Sequence, residues 1–544
     1  MATTYFFVIL FVLGMLALGY IGMRRTKTVG DFFLAGRNIG PWLSAFSYGT
    51  TYFSAVIFVG FAGKLGWGFG LKTLWISLGN VLLGAFLAWV ILANRTRAMT
   101  ARLNVMTMPE FLEARYRNPL LKPLAALVIF IFLIPYSASV YQGLGYLLTE
   151  SLKMPFTLSL LFIALLTGIY LVMGGYHAIN IADLIQGTIM IGGAILMVLF
   201  LVSALGGFRE ATKLQRERFN LHMAKPSAPI PSPQTSEAPS TETSSSQTSP
   251  PQPAAAKSAP KIPKNVVLLC LVLLTSLGPW GLPQMVQKYY AIKDKSIIPK
   301  ATIVTTIFAL VIAFVAYYCG SLTHVFFHPG AEMEVKTAAG VIKAIKLPTI
   351  EGAKPSPDFD ALVPIMLKTH TPQWLNTVIL LLILSASMST LSGLVLVSSS
   401  AIAIDLFQGR NPDEKRKKTA LAFMRILCAV FVIVSVLIAL RKVTFIVNLM
   451  SIAWGAVAGC FLAPYLYGLF WRRGTPTAVY ASMICTLLIT YIGYRKLGRD
   501  LSPVFGTVSM LAPLIIFPAV SLFTKTLPKE HLDFAFGTEE TKVM

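Results

Sequence analysis

The stretch Leu384-Ser-Ala-Ser-Met-Ser-Thr390 places four hydroxyl side chains within about two helical turns. It lies inside an apolar run, Trp374 to Ile404, that is long enough to cross a membrane as a helix. One hydroxyl in such a helix can donate back to a carbonyl of the preceding turn. A cluster of them among small residues indicates either oxygen ligands for a bare cation or a face that packs tightly on another helix.

The whole chain has the composition of a polytopic membrane protein. Of its 544 residues, 55% are hydrophobic and 13% are charged, which is too much apolar surface for a soluble core. Apolar runs of bilayer length predict an all-α polytopic membrane protein with about 13 transmembrane helices, so the lipid bilayer is an expected partner. The predicted spans lie near 5–23, 42–62, 73–94, 121–149, 156–174, 181–205, 266–286, 301–325, 374–404, 420–440, 444–470, 476–494 and 504–523.

The formal net charge of +23 raises nucleic acid as a partner, but the positions of the charges favour another explanation. Lys and Arg gather in alternate loops, as the positive-inside rule requires. The first span ends in Arg24-Arg25, which is the reverse of a cleaved signal peptide. We therefore predict a multi-pass protein of the plasma (inner) membrane with its N-terminus outside, its C-terminus cytoplasmic and no nucleic-acid partner. Lys288 counts among the inside-loop charges.

A membrane domain over residues 1–523 and a cytoplasmic tail over 524–544 are predicted. Residues 224–264 are rich in Pro and Ser, cannot bury a core, and should form a disordered extracytoplasmic loop. Residues 326–373 should be partly folded, and Thr107–Tyr116 predicts a short amphipathic helix on the cytoplasmic surface. The five cysteines and six histidines show no metal-ligand spacing, and no catalytic motif appears, so we do not expect an enzyme.

Five motifs in register carry a family resemblance. They are Asp31-Phe-Phe-Leu-Ala-Gly-Arg-Asn-Ile-Gly-Pro-Trp42, Ser47-Tyr-Gly-Thr-Thr-Tyr-Phe-Ser54, Gly278-Pro-Trp-Gly-Leu-Pro-Gln284, Met388-Ser-Thr-Leu-Ser392 and Ala463-Pro-Tyr-Leu-Tyr-Gly-Leu-Phe-Trp471. With them the chain resembles the sodium:solute symporter family, and is closest in motif to the sodium/proline and sodium/pantothenate symporters.

The resemblance implies an inverted five-plus-five helix repeat of the leucine-transporter type, with halves over 42–205 and 266–470. The residues support the two broken helices independently. Gly49 lies in a polar stretch of the first helix, and Gly278-Pro279 with Pro283 interrupts the other. A proline frees a backbone carbonyl, and unwound backbone at mid-membrane is tolerated only where it lines a cavity or site. Simple kinks are the alternative.

The resemblance also implies Na⁺ as the co-transported ion. Its site would use the hydroxyls of Ser389 and Thr390 with backbone carbonyls near Ala386, Thr50 and Phe53. A further candidate is an acid at the cytoplasmic mouth of the span 181–205, Asp183. An acid near membrane depth indicates function, here the inward path of the cation, whereas a helix-terminal charge favoured by the macrodipole is the structural alternative.

Tyr52 stands where proline carriers have an aspartate, and pantothenate-type members match better there. No Glu or Lys lies in residues 75–89, where the resemblance implies that a sugar carrier would have a polar partner, so a hexose is disfavoured. We therefore expect a small organic solute that bears a carboxylate, such as proline or pantothenate, received by free N–H groups of a half-helix. The pocket should lie between the breaks, although each aromatic could be ordinary packing; its candidate residues are Tyr52, Ser54, Trp280, Gln284, Tyr136 and Trp454.

The predicted function is a sodium-coupled symporter that imports this solute by alternating access. The alternatives are a proton-coupled carrier, a monocarboxylate or sialic acid carrier of the same fold, and a transporter-like sensor. The sequence does not indicate an oligomeric state.

Overall fold

The computed structural model of the protein describes residues 2–25, 29–224, 262–350, 356–408, 414–442 and 444–537. Most of the predicted Pro/Ser-rich loop and the last residues of the predicted tail lie outside these ranges. The helices of the first half are α1 Ala2–Arg25, α2 Val29–Leu34, α3 Pro41–Tyr52, α4 Ala62–Phe69, α5 Leu74–Gly79, α6 Asn94–Arg102, α7 Met108–Tyr116, α8 Leu121–Leu152, α9 Phe156–Ala204 and α10 Phe208–Ala224.

Wider, π-helical turns precede α4 at Val56–Phe61 and join α5 to α6 at Asn80–Leu87 and Trp89–Ala93. The helices of the second half are α11 Lys264–Gly281, α12 Pro283–Tyr290, α13 Ile298–Ser321, α14 Thr323–Phe326, α15 Leu362–His370, α16 Gln373–Ile402, α17 Glu414–Leu440, α18 Ile446–Phe470, α19 Pro476–Leu497, α20 Ser502–Phe523 and α21 Lys529–Phe536. A further π-helical turn, Ala403–Gln408, extends α16.

Eleven helical ranges among the described residues are long and apolar enough to cross a membrane, judged by length and composition. Two segments explain the difference from the thirteen predicted spans. The predicted span 42–62 is divided by the helix break after Tyr52, and its second part forms a single helical range with the next predicted span, Val56–Arg102. Within the described residues, the predicted span 156–174 corresponds to a shorter apolar helix, Phe156–Tyr170. Helix α9 also bends at Gly175, where φ is 59°.

Both predicted helix breaks are present. The first helix of the first half stops at Tyr52, continues through Phe53 in an extended conformation, and resumes after Ser54. The second stops at Gly281 and resumes at Pro283, with Leu282 extended between them. Proline at the start of α12 suits a helix N-terminus, where its missing N–H would have no partner. The glycine and proline signals therefore mark true interruptions rather than gentle kinks.

Two helices form the centre of the bundle. The window of α18 that could span a membrane is 94% buried inside the protein, and that of α16 is 89% buried, whereas that of α1 is 28% buried. Helix α16 packs against α3, α8 and α9, so its hydroxyl cluster faces protein rather than lipid. Polar side chains on such a helix need partners from neighbouring elements.

The segment after α14 is folded, as expected. It contains a three-stranded sheet whose middle strand is the third along the chain, with the first strand parallel and the second antiparallel to it, and a separate antiparallel pair of short strands. The predicted helix at Thr107–Tyr116 is present as α7, with the Thr107 hydroxyl accepting a hydrogen bond from the Glu110 N–H at its N-terminus. Most residues of α7 are buried, so this helix is packed into the bundle and does not lie on the surface of the bundle. The strands are β1 Phe327–His328, β2 Met333–Thr337, β3 Gly340–Lys346, β4 Thr349–Ile350 and β5 Ser356–Pro357.

Candidate functional site

The first helix break exposes backbone carbonyls at the centre of the bundle. The last hydrogen bond of α3 runs from the Phe53 N–H to the Gly49 carbonyl, at 3.1 Å. The carbonyls of Thr50 and Thr51 come after it and have no following helical turn to donate to them. Both point at α16, where they lie 3.2 Å from the hydroxyl of Thr390.

The Thr390 hydroxyl is surrounded by more acceptors than it can serve. Its Oγ1 lies 3.2 Å from the Thr50 and Thr51 carbonyl oxygens and 3.1 Å from the Ala386 carbonyl oxygen of its own helix. A hydroxyl has one hydrogen to donate. Two oxygen ligands that lie at right angles, each about 2.4 Å from a hard cation, are about 3.4 Å apart. The observed oxygen–oxygen distances are close to that value, so the group needs only a small adjustment to bind a cation.

Ser389 extends this group of oxygens toward an acid. Its Oγ lies 2.7 Å from the Thr50 hydroxyl and 2.7 Å from Oδ1 of Asp183. The Thr50 hydroxyl in turn lies 2.8 Å from the Phe46 carbonyl. Ser389 and Asp183 are buried, so these contacts are made away from water. The carboxylate is thus in direct contact with the hydroxyl cluster and is not at the mouth of its span.

A buried lysine completes this arrangement. Lys288 of α12 donates to the Ser47 hydroxyl at 2.8 Å, and its ammonium lies 3.9 Å from Oδ2 of Asp183. Ser47 also donates to that Oδ2, at 2.5 Å. The Lys288 side chain is 1% exposed, which corrects its count among the loop charges. Burying a carboxylate without a partner is costly, and the ammonium offsets that cost.

The aromatic cavity is a separate, narrow space of about 30 Å³ beyond the first break. Among its described lining residues none carries a charged side chain. The ring of Tyr52 stacks on that of Phe53, at 4.4 Å between centroids, and the rings of Tyr136 and Trp454 meet edge to face at 5.7 Å. Four of the six predicted solute residues line it; the lining set is Tyr52, Phe53, Ser54, Val56, Ile57, Phe61, Asn80, Tyr136, Thr275, Tyr317, Met450 and Trp454.

The other predicted residues lie elsewhere. The Trp280 ring donates to the Leu83 carbonyl at 2.9 Å, and Gln284 is buried beside Gly393 of α16. Neither lines the aromatic cavity. Phe53, predicted to offer a carbonyl to the cation, contributes its ring to this cavity.

Serine hydroxyls cap the half-helix that follows the first break. The Ala55 N–H donates to the Ser387 hydroxyl at 3.3 Å, and the Val56 N–H donates to the Ser54 hydroxyl at 3.2 Å. A carboxylate that binds these N–H groups must therefore displace a serine hydroxyl.

Comparison with known proteins identifies the family. The profile of the sodium:solute symporter family matches residues 32–485. Sodium/proline symporters of Staphylococcus aureus, for example those of strains RF122 and JH9, are 23% identical to the chain over 541 residues, which are 97% of this chain and 93% of theirs.

Solved structures establish the fold. A Na⁺-coupled sialic acid symporter in a substrate-bound outward-open state superposes with a TM-score of 0.71 at 17% identity, over 96% of this chain and 99% of that chain. Mhp1, a nucleobase-cation-symport-1 family transporter, superposes with a TM-score of 0.50 at 12% identity, over 93% and 97%. The predicted inverted-repeat architecture is confirmed. The chain therefore belongs to the sodium:solute symporter family, a family of membrane transporters.

Proposed function

We propose that the protein is a sodium-coupled symporter that imports a small organic solute across the plasma membrane by alternating access. The observation that carries this proposal is the oxygen cluster at Thr390, where three carbonyl oxygens lie within 3.2 Å of one hydroxyl. Such a surplus of neutral oxygens suits a monovalent cation, because carbonyls and hydroxyls are the ligands that hard cations prefer.

The proposed sodium ligands are the carbonyls of Thr50 and Ala386 and the hydroxyls of Ser389 and Thr390. The Thr51 carbonyl joins this set because it is as close to Thr390 as the Thr50 carbonyl is. The Phe53 carbonyl stays a prediction, without a contact that supports it.

Asp183 makes the region electrostatically favourable for a cation through its contact with Ser389. The buried ammonium of Lys288 competes for the same carboxylate, so we expect sodium binding to weaken the ion pair between Asp183 and Lys288. This competition would keep the affinity for sodium moderate, which suits an ion that must also be released.

The solute is proposed to be small, amino-acid-like and carboxylate-bearing, with proline as the first candidate because sodium/proline symporters are relatives over nearly the whole chain. The aromatic walls formed by Tyr52, Tyr136 and Trp454 suit a hydrocarbon ring or an ammonium group. The N–H groups of Ala55 and Val56 are the candidate receptors for the carboxylate, in exchange for their serine caps.

Coupling to sodium would supply the driving force. One charge that crosses 100 mV yields about 2.3 kcal/mol, which corresponds to about forty-fold accumulation before any sodium gradient is counted. The sodium ion and the solute would both enter from the extracytoplasmic side, where the N-terminus is predicted to lie.

Uptake into proteoliposomes tests this proposal. Radiolabelled proline, pantothenate, a short monocarboxylate and sialic acid are offered under an imposed sodium gradient and, separately, a pH gradient. We expect one of them to accumulate with sodium and not with protons alone, and the double variant Ser389→Ala/Thr390→Ala to need much more sodium. Ser399→Ala is the matched control, because this buried hydroxyl of the same helix bonds back to Val395 and lies outside the cluster. Accumulation driven by the pH gradient alone would contradict sodium coupling.

A further inference from the structure

A second cavity lies farther along α16, away from the aromatic cavity. Asp405 lies 15 residues (405 − 390) beyond Thr390, which is about 22 Å along a helix. Its neighbourhood includes a small cavity of about 10 Å³ between α12, α16 and the N-terminus of α7, which is room for about one water molecule or a bare cation. The positive-inside rule places this end of the bundle toward the cytoplasm. The lining residues are Phe33, Met106, Thr107, Met108, Pro109, Ile129, Pro283, Gln287, Tyr290, Val397, Ser400, Ala401 and Asp405.

Three buried oxygens of this cavity lack a hydrogen-bond partner within the described part of the chain. They are Oε1 of Gln287, the hydroxyl of Tyr290 and Oδ2 of Asp405. Each of these residues is at most 6% exposed, and the Asp405 side chain is fully buried. A buried carboxylate oxygen without a donor is costly, so this arrangement calls for a ligand that supplies positive charge.

The other carboxylate oxygen of Asp405, Oδ1, has partners that hold the side chain in place. Its Oδ1 accepts from the Thr107 hydroxyl at 2.8 Å and lies 3.6 Å from the ammonium of Lys122. Lys122 is shared with Glu110, at 3.3 Å, and Glu110 also accepts from the Met106 N–H at 2.8 Å. Two carboxylates thus share one ammonium, and the guanidinium of Arg37 also interacts with Glu110 and Tyr290.

The side of α12 that lies near α16 carries further unpartnered oxygens. Gln284, Gln287 and Tyr290 follow at intervals of three residues on α12, so they share one face of that helix. Gln284 lies beside Gly393 of α16, and its Oε1 is also without a partner among the described residues. Gln287 and Tyr290 then line the cavity that contains Asp405. The two helices therefore present a series of oxygens that leads from one end of α12 to the other.

We propose that this cavity is a second, transient sodium site on the cytoplasmic release path, with the Asp405 carboxylate as its charged ligand and Gln287 and Tyr290 as neutral ones. The proposal rests on the proposed sodium symport. Lys122 partly neutralises the carboxylate, so binding is weak, as a site that passes an ion onward requires. Asp405 thereby takes the role on the inward path that the sequence suggested for Asp183.

A cysteine placed in the cavity wall tests this site without knowledge of the solute. The substitution Ser400→Cys is nearly isosteric and lies on the cavity wall. In the full-length chain in liposomes, its alkylation by N-ethylmaleimide, a neutral reagent, is timed in sodium and in N-methylglucamine at equal ionic strength. The same measurement on the otherwise unchanged chain gives the background from the native cysteines, of which Cys485 is partly exposed and the other four are buried.

We expect sodium to slow this alkylation by about threefold once its concentration reaches twice the dissociation constant. The protection should disappear when Asp405→Asn is added. It should weaken but not disappear when Glu110→Gln is added, because Lys122 then pairs with Asp405 alone while the Asp405 carboxylate stays in place. It should also persist with Thr390→Ala, which damages only the upstream site. Ala401→Cys serves as a second reporter if Ser400→Cys does not fold.

Three results would overturn the inference. If the protection survives Asp405→Asn, the Asp405 carboxylate is not a ligand. The same conclusion follows if Asp405→Asn and Glu110→Gln abolish the protection equally. Protection that vanishes with Thr390→Ala would show that the upstream site causes it. An unreactive cysteine at both positions would show that the cavity does not open to the solution and so does not lie on a release path. None of these results depends on solute uptake, so they leave the test of sodium symport separate.

Discussion

Replacement of Thr390 by alanine tests the cation site most directly. The hydroxyl contacts three carbonyl oxygens, and alanine removes this ligand while leaving the carbonyls of Thr50, Thr51 and Ala386 in place. A contact between a neutral group and a charge contributes about 1.5–3 kcal/mol. The dissociation constant for sodium should therefore rise roughly 10- to 150-fold.

The measurement is equilibrium binding of ²²Na⁺ to the purified protein, which needs no solute. The matched control is Ser399→Ala, whose hydroxyl is buried on the same helix and donates to the Val395 carbonyl at 2.7 Å. Thermal unfolding without sodium should be similar for the two variants, since each loses a hydroxyl that bonds back to its own helix and also contacts a neighbouring one, α3 for Thr390 and α17 for Ser399. An unchanged sodium affinity in Thr390→Ala, or an equal loss in the control, would refute the assignment of the site.

Three further predictions concern the buried charges and the helix contacts. Lys288→Met leaves the Asp183 carboxylate without its ammonium, which costs about 3–5 kcal/mol for a buried pair, so the unfolding temperature without sodium should fall. Added sodium should then stabilise this variant more than it stabilises the parent chain. Lys295→Met, at an exposed position, should show neither effect. Burial, with a smaller contribution from Asp358, raises the pKa of Asp360 to about 7, so the folded state binds this proton more tightly than the unfolded state does. The resulting stability is complete below the unfolded pKa of about 4 and is lost as pH rises through 7, and melting curves of Asp360→Asn should lack this decline. Gly66→Ala should lower the unfolding temperature by the equivalent of about 1–3 kcal/mol, because its Cβ would meet the Gly320 carbonyl oxygen at 2.1 Å, whereas Gly68→Ala, with open space, should not.

The sequence predicted the features that depend on local chemistry. Pro283 favours the start of a new helix, and the second break lies directly before it at Leu282, whereas Gly278 and Pro279 lie within the end of α11. The hydroxyls of Ser389 and Thr390 were recognisable because they stand in an apolar run. Their carbonyl partners from α3 followed from the family resemblance rather than from the residues.

The features that depend on packing were not predictable. Lys288 follows an apolar run by two residues and therefore resembles an ordinary loop charge, yet the contact of α12 with α3 buries it beside Asp183. Trp280 was expected in the solute pocket because it lies at a break, but its ring turns to the Leu83 carbonyl. Asp405 gave no signal because it stands near the charged end of its helix.

Helix α16 contacts both sides of the first break, and this arrangement suggests how ion and solute affect each other. Thr390 meets the Thr50 carbonyl before the break, and Ser387 accepts from the Ala55 N–H after it. The residues between these two contacts include Tyr52 and Ser54, which form part of the wall of the aromatic cavity. A sodium ion that draws the carbonyls toward Thr390 must therefore reposition that wall, because only a few residues separate the two contacts. If this movement favours the solute, thermodynamic linkage requires the solute to raise the affinity for sodium by the same factor, and a coupling of about 1–3 kcal/mol corresponds to 5- to 150-fold.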